Sequence, residues 1–272
     1  MDSTAHRFYR APMRYEEYPA PASLEDRVLS VWSFRRSALE SGVVRHLIPP
    51  DGCVSVAFAV HSDRSPEVIL VGAHERPLAV PIYPGDRYWG IRFWPDAGAT
   101  CLGLNAEEWV GRRAPAEPWV AGYPHEVLPA VERAGSDSEA HAAVARWANA
   151  QNWGAASLDA AVRLAVLAIV AAKGALAMHE LPAITGLSAR TLLRRFRAAT
   201  GMTLKRYAKV RRSREAAARH HESPSTTWSR IAVEVGYSDH AHLTREFRAI
   251  VGAPPSEIAR MIGRISHGAI RP

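Results

Sequence analysis

Residues 186–201 read GLSARTLLRRFRAATG, and residues 236–252 read GYSDHAHLTREFRAIVG. One device is written twice, and that repetition limits what this part of the chain can fold into. Gly186 lies over Gly236 at an offset of fifty, while Leu192, Phe196 and Gly201 lie over Leu243, Phe247 and Gly252 at an offset of fifty-one. The second copy therefore carries one extra residue between its serine and its leucine. Each copy predicts helix, tight turn, helix. The glycine suits the left-handed position that closes the first helix, and Ser188 and Ser238 are the expected N-caps of the second. Leu192, Phe196 and Ala199, and likewise Leu243, Phe247 and Ile250, recur at helical spacing and must be buried. What remains faces outward. In the first copy it is Ala189, Arg190, Leu193, Arg194 and Arg197. In the second it is Asp239, His240, His242, Thr244, Arg245 and Arg248. Capped helices with donor-rich outer faces are what reading a major groove needs, because one arginine can donate to guanine O6 and N7 together.

Between the copies runs TLKRYAKVRRSREAAARH. Leu204, Tyr207 and Val210 start an apolar stripe, and Lys205, Arg206, Lys209, Arg212 and Arg214 crowd the rest. A helix over 203–220 spans about 27 Å at 1.5 Å per residue. It can hold the two motifs about one DNA turn, roughly 34 Å, apart. Lys209 on this helix is expected to meet the phosphate backbone, which positions without carrying base information. Charge points the same way. Residues 1–156 carry fifteen arginines and nineteen acidic residues, a net of −4, whereas residues 157–272 carry nineteen basic and eight acidic residues, a net of +11. An asymmetry of that size suggests a polyanionic partner for one half.

The first half has a different grammar. Pro49-Pro50-Asp51-Gly52 punctuates, after which Val54, Val56, Phe58 and Val60 alternate; EVILVG and Tyr88 to Trp94 give two more short strands. Short strands between turns suggest an antiparallel sheet curled into a barrel. Helices are expected after Asn105, over 125–133, and over 137–151 with Ser138 as cap. A further, strongly apolar helix over 158–173 follows a Ser157 cap. The expected division is 1–153 and 157–265. Trp32, Arg45, Phe58, Trp89, Arg92 and Trp94 are the candidates for lining a small-molecule pocket, with aromatic walls and an arginine anchor. His46, His61 and His74 lack a His-x-His with a downstream Glu, so no metal or other cofactor is expected. Cys53 and Cys101 form no Cys-x-x-Cys and read as buried inert thiols. The longest apolar run, Leu164 to Ala172, is too short to span a bilayer, and the start lacks a signal-peptide pattern, so a cytoplasmic protein is expected. No nucleophile elbow, phosphate loop or carboxylate pair stands out, so no enzyme is expected.

The SARTLLRRFRAATG stretch, the RYAKVRRSREAA linker and IAVEVGYSDHAHLTREFRAIVGAPPSE together resemble the AraC/XylS transcription regulators over roughly residues 157–262. The resemblance implies an α+β chain whose all-α C-terminal unit places two helix-turn-helix motifs, joined by a linker helix, in successive major grooves. By matching positions, Arg190 and Arg194 read bases in one half, and His240, His242 and Arg245, with Asp239 beside them, read the other. Pro182 replaces a usual helix former but falls in a first turn, where proline is tolerated. Leu193 replaces an often polar residue and suits a thymine methyl. RVLSVWSFR, HLIPPDGCVSVAF, VGAHERP and WGIRFWPDAGATCLGLNAEEW are similar to the cupin-like sensors attached to some of these regulators. The implied partners are operator DNA, a small-molecule effector, RNA polymerase and a second copy of the chain, the last through the apolar face of helix 137–151. The alternative is a ligand-independent DNA-binding dimer.

Overall fold

The computed structural model describes residues 13–120, 124–257 and 265–267, so the first residues of the expected N-terminal domain and residues 258–264 lie outside the described set. In chain order the strands are β1 (Met13–Tyr18), β2 (Val28–Arg36), β3 (Val44–Ile48), β4 (Ser55–Val60), β5 (Glu67–Val71), β6 (Leu78–Ile82), β7 (Arg87–Phe93) and β8 (Arg113–Pro115). Two short helices, α1 (Gly98–Cys101) and α2 (Ala106–Trp109), precede β8, and α3 (Val127–Arg133) and α4 (Asp137–Ala150) follow it. The helical half comprises α5 (Ala160–Ala171), α6 (Leu181–Thr185), α7 (Ala189–Thr200), α8 (Leu204–Glu222), α9 (Trp228–Glu234) and α10 (His240–Val251). The expected α+β architecture is what the chain adopts, a β-rich N-terminal part followed by a helical part with two helix-turn-helix motifs. One element departs from it. A short strand β9 (Ile265–His267) follows the helices and pairs in parallel with β1.

The strands form a seven-stranded sheet in the order β8-β5-β4-β7-β2-β1-β9 and a two-stranded sheet of β3 and β6. One face of the large sheet packs on α3 and α4. Val56, Phe58, Trp89, Ile91 and Phe93 meet Val131, Val144 and Trp147 there. The other face, with Phe34, Trp32, Tyr88, Ala57 and Ala59, turns toward Val80 and Ile82 of the small sheet. Hence β4, which alternates in sequence, is buried along its whole length. Small side chains, Ser55, Ala57 and Ala59, occupy its alternate positions, where a larger polar one would have no water to face.

Three caps differ from expectation. Ser136, not Ser138, accepts from Glu139 N at the start of α4. Asp159, not Ser157, caps α5, which spans Ala160–Ala171 and not 158–173. Asp239, not Ser238, caps α10. In each case a side-chain oxygen two or three residues before an orphan N–H wins over a nearby serine. Asn105 caps α2 as expected, and Pro182 sits in the first turn of α6. The apolar face of α4 is also reassigned. Ala140, Val144, Trp147 and Ala148 are buried inside this chain, with Phe58 edge-on to Trp147 at 5.4 Å, so that face is unavailable to a second copy.

Candidate nucleic-acid interface

Both motifs are built from the same local parts. Gly186 closes α6 at φ 69° and Gly236 follows α9 at φ 83°, left-handed positions that a side chain strains. Ser188 caps α7 by accepting from Thr191 N. Asp239 caps α10 by accepting from His242 N at 2.6 Å, and that hydrogen bond holds its carboxyl below the usual carboxylate range. The cap precedes the first buried leucine by four residues in both copies, Ser188 to Leu192 and Asp239 to Leu243. The extra residue of the second copy is thus absorbed in the turn, and Asp239 is the true counterpart of Ser188. A stricter rule, counting back four from the buried leucine, would have found it in the sequence.

Leu192 and Phe196 enter one core with Val162, Val166, Ile169, Leu204 and Tyr207. Leu243, Phe247 and Ile250 enter another with Val210, Ala216 and Ile231. The outer faces stay in solvent. Ala189, Arg190, Leu193, Arg194 and Arg197 are all exposed on α7, and His240, Arg245 and Arg248 on α10; His242 and Thr244 are half-buried. Arg194 and Arg245 occupy equivalent positions. Among the described residues no ion pair engages Arg190, Arg194, Arg245 or Arg248.

Other candidates are engaged inside the molecule. Arg197 Nε lies 2.7 Å from Glu107 of α2. Lys209 Nζ lies 3.1 Å from Glu246, whose side chain is 4% exposed. Asp239 spends one carboxyl oxygen on its cap. His242 meets Ser238 Oγ through Nδ1 at 3.2 Å and stands edge-on to Tyr237. On the linker helix Arg206 donates to the Glu75 carbonyl of the N-terminal half. Of the five basic residues expected to crowd this helix, Arg206 and Lys209 thus meet partners that lie too far away in sequence to be seen, while Lys205 stays exposed.

The six pocket candidates do not converge. Phe58 and Trp89 lie in the core on the helix side of the sheet. Trp32 and Arg92 lie on the opposite side, and Arg45 is exposed on β3. Trp94 packs toward the α5–α7 core, with its indole N–H donating to the Glu25 carbonyl. Arg92 is flanked by Asp51 at 2.9 Å and Glu17 at 2.5 Å. Burial pushes both carboxyls up, but Arg92 together with Arg214, and with His74 beside Asp51 and the Tyr15 hydroxyl on Glu17, outweighs it and both settle below their ordinary values. Burial, with Asp51 beside it, pushes the Cys53 thiol far up, and burial raises Cys101 to about 11, so neither is a ready thiolate.

A family model described as a helix-turn-helix domain matches residues 181–261, and one described as a domain of unknown function (DUF6597) matches residues 16–115. No curated protein matches the chain. Among solved structures, it is similar to a probable AraC family transcriptional regulator from Rhodopseudomonas palustris CGA009, at 28% identity over 38% of this chain and 96% of that one, with a TM-score of 0.34. It is similar to ToxT from Vibrio cholerae at 11% identity over 85% and 97% of the two chains, TM-score 0.46. The unsaturated fatty acid bound wild-type ToxT from Vibrio cholerae strain SCE256 matches at 9% identity over 92% and 94%, TM-score 0.45.

Proposed function

The chain belongs to the AraC/XylS family of transcription regulators, and from that premise we propose how its parts divide the work. It binds DNA and regulates transcription. The observation that carries the finer reading is the pairing of Arg194 with Arg245, two exposed arginines at equivalent positions of two capped helices. In this reading Arg190 and Arg194 donate to base edges in one major groove, and Arg245 and His240 in the next. Arg248 and the exposed Lys205 take phosphates. Binding of the full chain to a randomised duplex pool tests it. The expected product is a motif in two parts, with affinity falling steeply as salt rises because phosphate contacts release counterions. Enrichment of no sequence, or affinity flat in salt, would sink the reading.

The N-terminal half, with the boundary proposed between 153 and 157, is proposed to receive a small-molecule effector and to pass its presence to the motifs. One observation favours the second reading, in which this half serves self-association alone. Phe58 and Trp89 are already packed in the core, and Arg92 is already neutralised by two carboxylates. A homodimer, in either reading, uses a surface other than the apolar face of α4. A thermal-shift screen of metabolites separates the two, since only a sensor is stabilised by its ligand. Sedimentation of the full chain tests the dimer. RNA polymerase is the proposed protein partner, tested by transcription in vitro from a selected operator. No helix among the described residues is long and apolar enough to cross a membrane.

A further inference from the structure

The linker helix α8 belongs to two cores. Its first turns, with Leu204, Tyr207 and Ala208, complete the core of the first motif, and its later turns, with Val210 and Ala216, that of the second. A shared helix fixes the separation of two motifs along its axis. It fixes their rotation about that axis less firmly, because each core grips only one side of it. Something else must lock the second motif against the first.

The lock is found where the loop after α5 crosses α8. Gly174, at φ +79°, lies so close that a Cβ on it would stand 2.2 Å from the Ala208 carbonyl oxygen and 2.6 Å from Arg212 N. Only glycine lets the two backbones meet there. Arg212 then reaches out of this crossing in two directions. Its Nε donates to the Gly174 carbonyl at 3.3 Å, and its Nη1 donates to the Gly236 carbonyl at 3.3 Å. Its guanidinium carbon lies 5.2 Å from the centre of the Tyr237 ring. Gly236 opens the turn that leads into α10. One planar group thus ties the loop behind the first motif to the turn of the second. Next to this crossing Ala175 packs close to Gly236, and the ion pairs Lys173–Glu215 and Arg219–Glu234 run at 2.8 and 3.0 Å. A lysine cannot replace the arginine, because an ammonium is a point charge and lacks the fork that serves two carbonyls while stacking on a ring.

We propose that Arg212 is a positioning residue that sets the spacing between the two half-sites the protein accepts. The inference rests on the reading that α7 and α10 enter successive major grooves. Each base pair inserted between half-sites moves the second by about 3.4 Å and turns it by roughly 35°, from a repeat of about 34–36 Å per turn. A second motif locked in rotation tolerates one spacing. One held only through α8 can turn to follow a neighbouring spacing.

The test is a binding selection with the full chain, using the two half-sites recovered for the wild type and a library of spacer lengths between them. Arg212→Lys keeps the charge and Arg212→Met keeps the stem. Arg212 is half-exposed, so both variants are expected to fold, as judged by an unchanged far-UV spectrum and melting temperature. The wild type is expected to favour one spacing over its neighbours by about tenfold or more, the scale of losing contacts at one or two base pairs. The variants are expected to bring the spacings one base pair shorter and longer to within about threefold, with base preference inside each half-site unchanged. A merely structural role would lower affinity at all spacings alike. Folded variants that keep the wild-type spacing profile overturn the assignment and leave the two-groove reading standing. A wild type that selects a single half-site overturns that reading and the assignment with it, whereas two half-sites with no spacing preference overturn the assignment alone.

Discussion

Lys209 separates two accounts of the linker helix. As a free cation on a basic helix it would touch a phosphate. The structure instead sets its ammonium 3.1 Å from Glu246 on α10, with side chains 37% and 4% exposed. Removing one partner of a fully buried pair costs about 3–5 kcal/mol, because the other charge is left without compensation. Here water reaches the lysine end, so the loss is discounted to about 1–3 kcal/mol for Lys209→Ala. Replacing both partners by methionine is expected to recover most of it, since two packed apolar side chains leave no charge unpaired. Urea unfolding of the wild type, Lys209→Met, Glu246→Met and the double variant gives the coupling by a thermodynamic cycle, with Lys209→Ala measured beside them. DNA binding is measured beside it. A lost phosphate contact would lower the salt slope by about one unit and leave stability alone. The reasoning is refuted if Lys209→Ala keeps the wild-type urea midpoint and loses that unit of slope.

Arg194→Ala and Arg245→Ala are each expected to flatten base preference in one half-site only, by about 1–3 kcal/mol, in a randomised-operator selection. Arg197→Ala, whose guanidinium is held by Glu107, is expected to leave that preference intact; a loss equal to that of Arg194→Ala would place Arg197 in the groove as well. Glu215 tests pH dependence. Burial pushes its carboxyl up, but hydrogen bonds from Lys173 and Arg219 outweigh it and hold it below the unfolded value of 4.5. The unfolded chain then binds the proton more readily, so this contribution is present above about pH 4.5 and lost as pH falls through the lower folded value. Urea midpoints of the wild type are expected to fall more steeply below pH 4.5 than those of Glu215→Gln.

The repeat was legible because its parts are local. A left-handed glycine, a cap and leucines four residues on are decided within one turn of chain, and a duplicated pattern checks itself. The caps that slipped did so for a local reason too, since Ser and Asp compete at adjacent positions and only the orphan N–H decides between them. The sheet was half legible. β4, β5 and β7 announce themselves, whereas β3 and β6 are recognisable only as the pair that faces Phe34 and Trp32 across the interior. The pocket candidates failed to converge because aromatic content does not say which side of a sheet is covered by helices. α4 makes the same point. Its apolar stripe looked unpartnered because its partners, Phe58 and the β7 aromatics, lie some fifty to ninety residues upstream.

The charge asymmetry pointed to the right half for a reason that the structure narrows. Several of the cations are already answered within the chain, three of them by the acidic half. Arg163, Arg197 and Arg206 reach Asp96, Glu107 and Glu75 of the acidic half, and Arg195, Lys173, Lys209, Arg219 and Arg230 are met by Asp159, Glu215, Glu246 and Glu234. Part of the opposite charge on the two halves therefore joins them to each other. A charge total cannot separate cations that hold a molecule together from those that hold a ligand, because both raise it equally. The exposed arginines outside these ion pairs make the distinction. They sit on the outer faces of α7 and α10, where the side chains of a capped helix are set by the buried leucine and phenylalanine behind them. The core positions that pin each helix thus also aim its arginines. Leu192→Ala or Leu243→Ala should accordingly blur base preference in one half-site before abolishing binding, which the phosphate contacts of the other motif sustain.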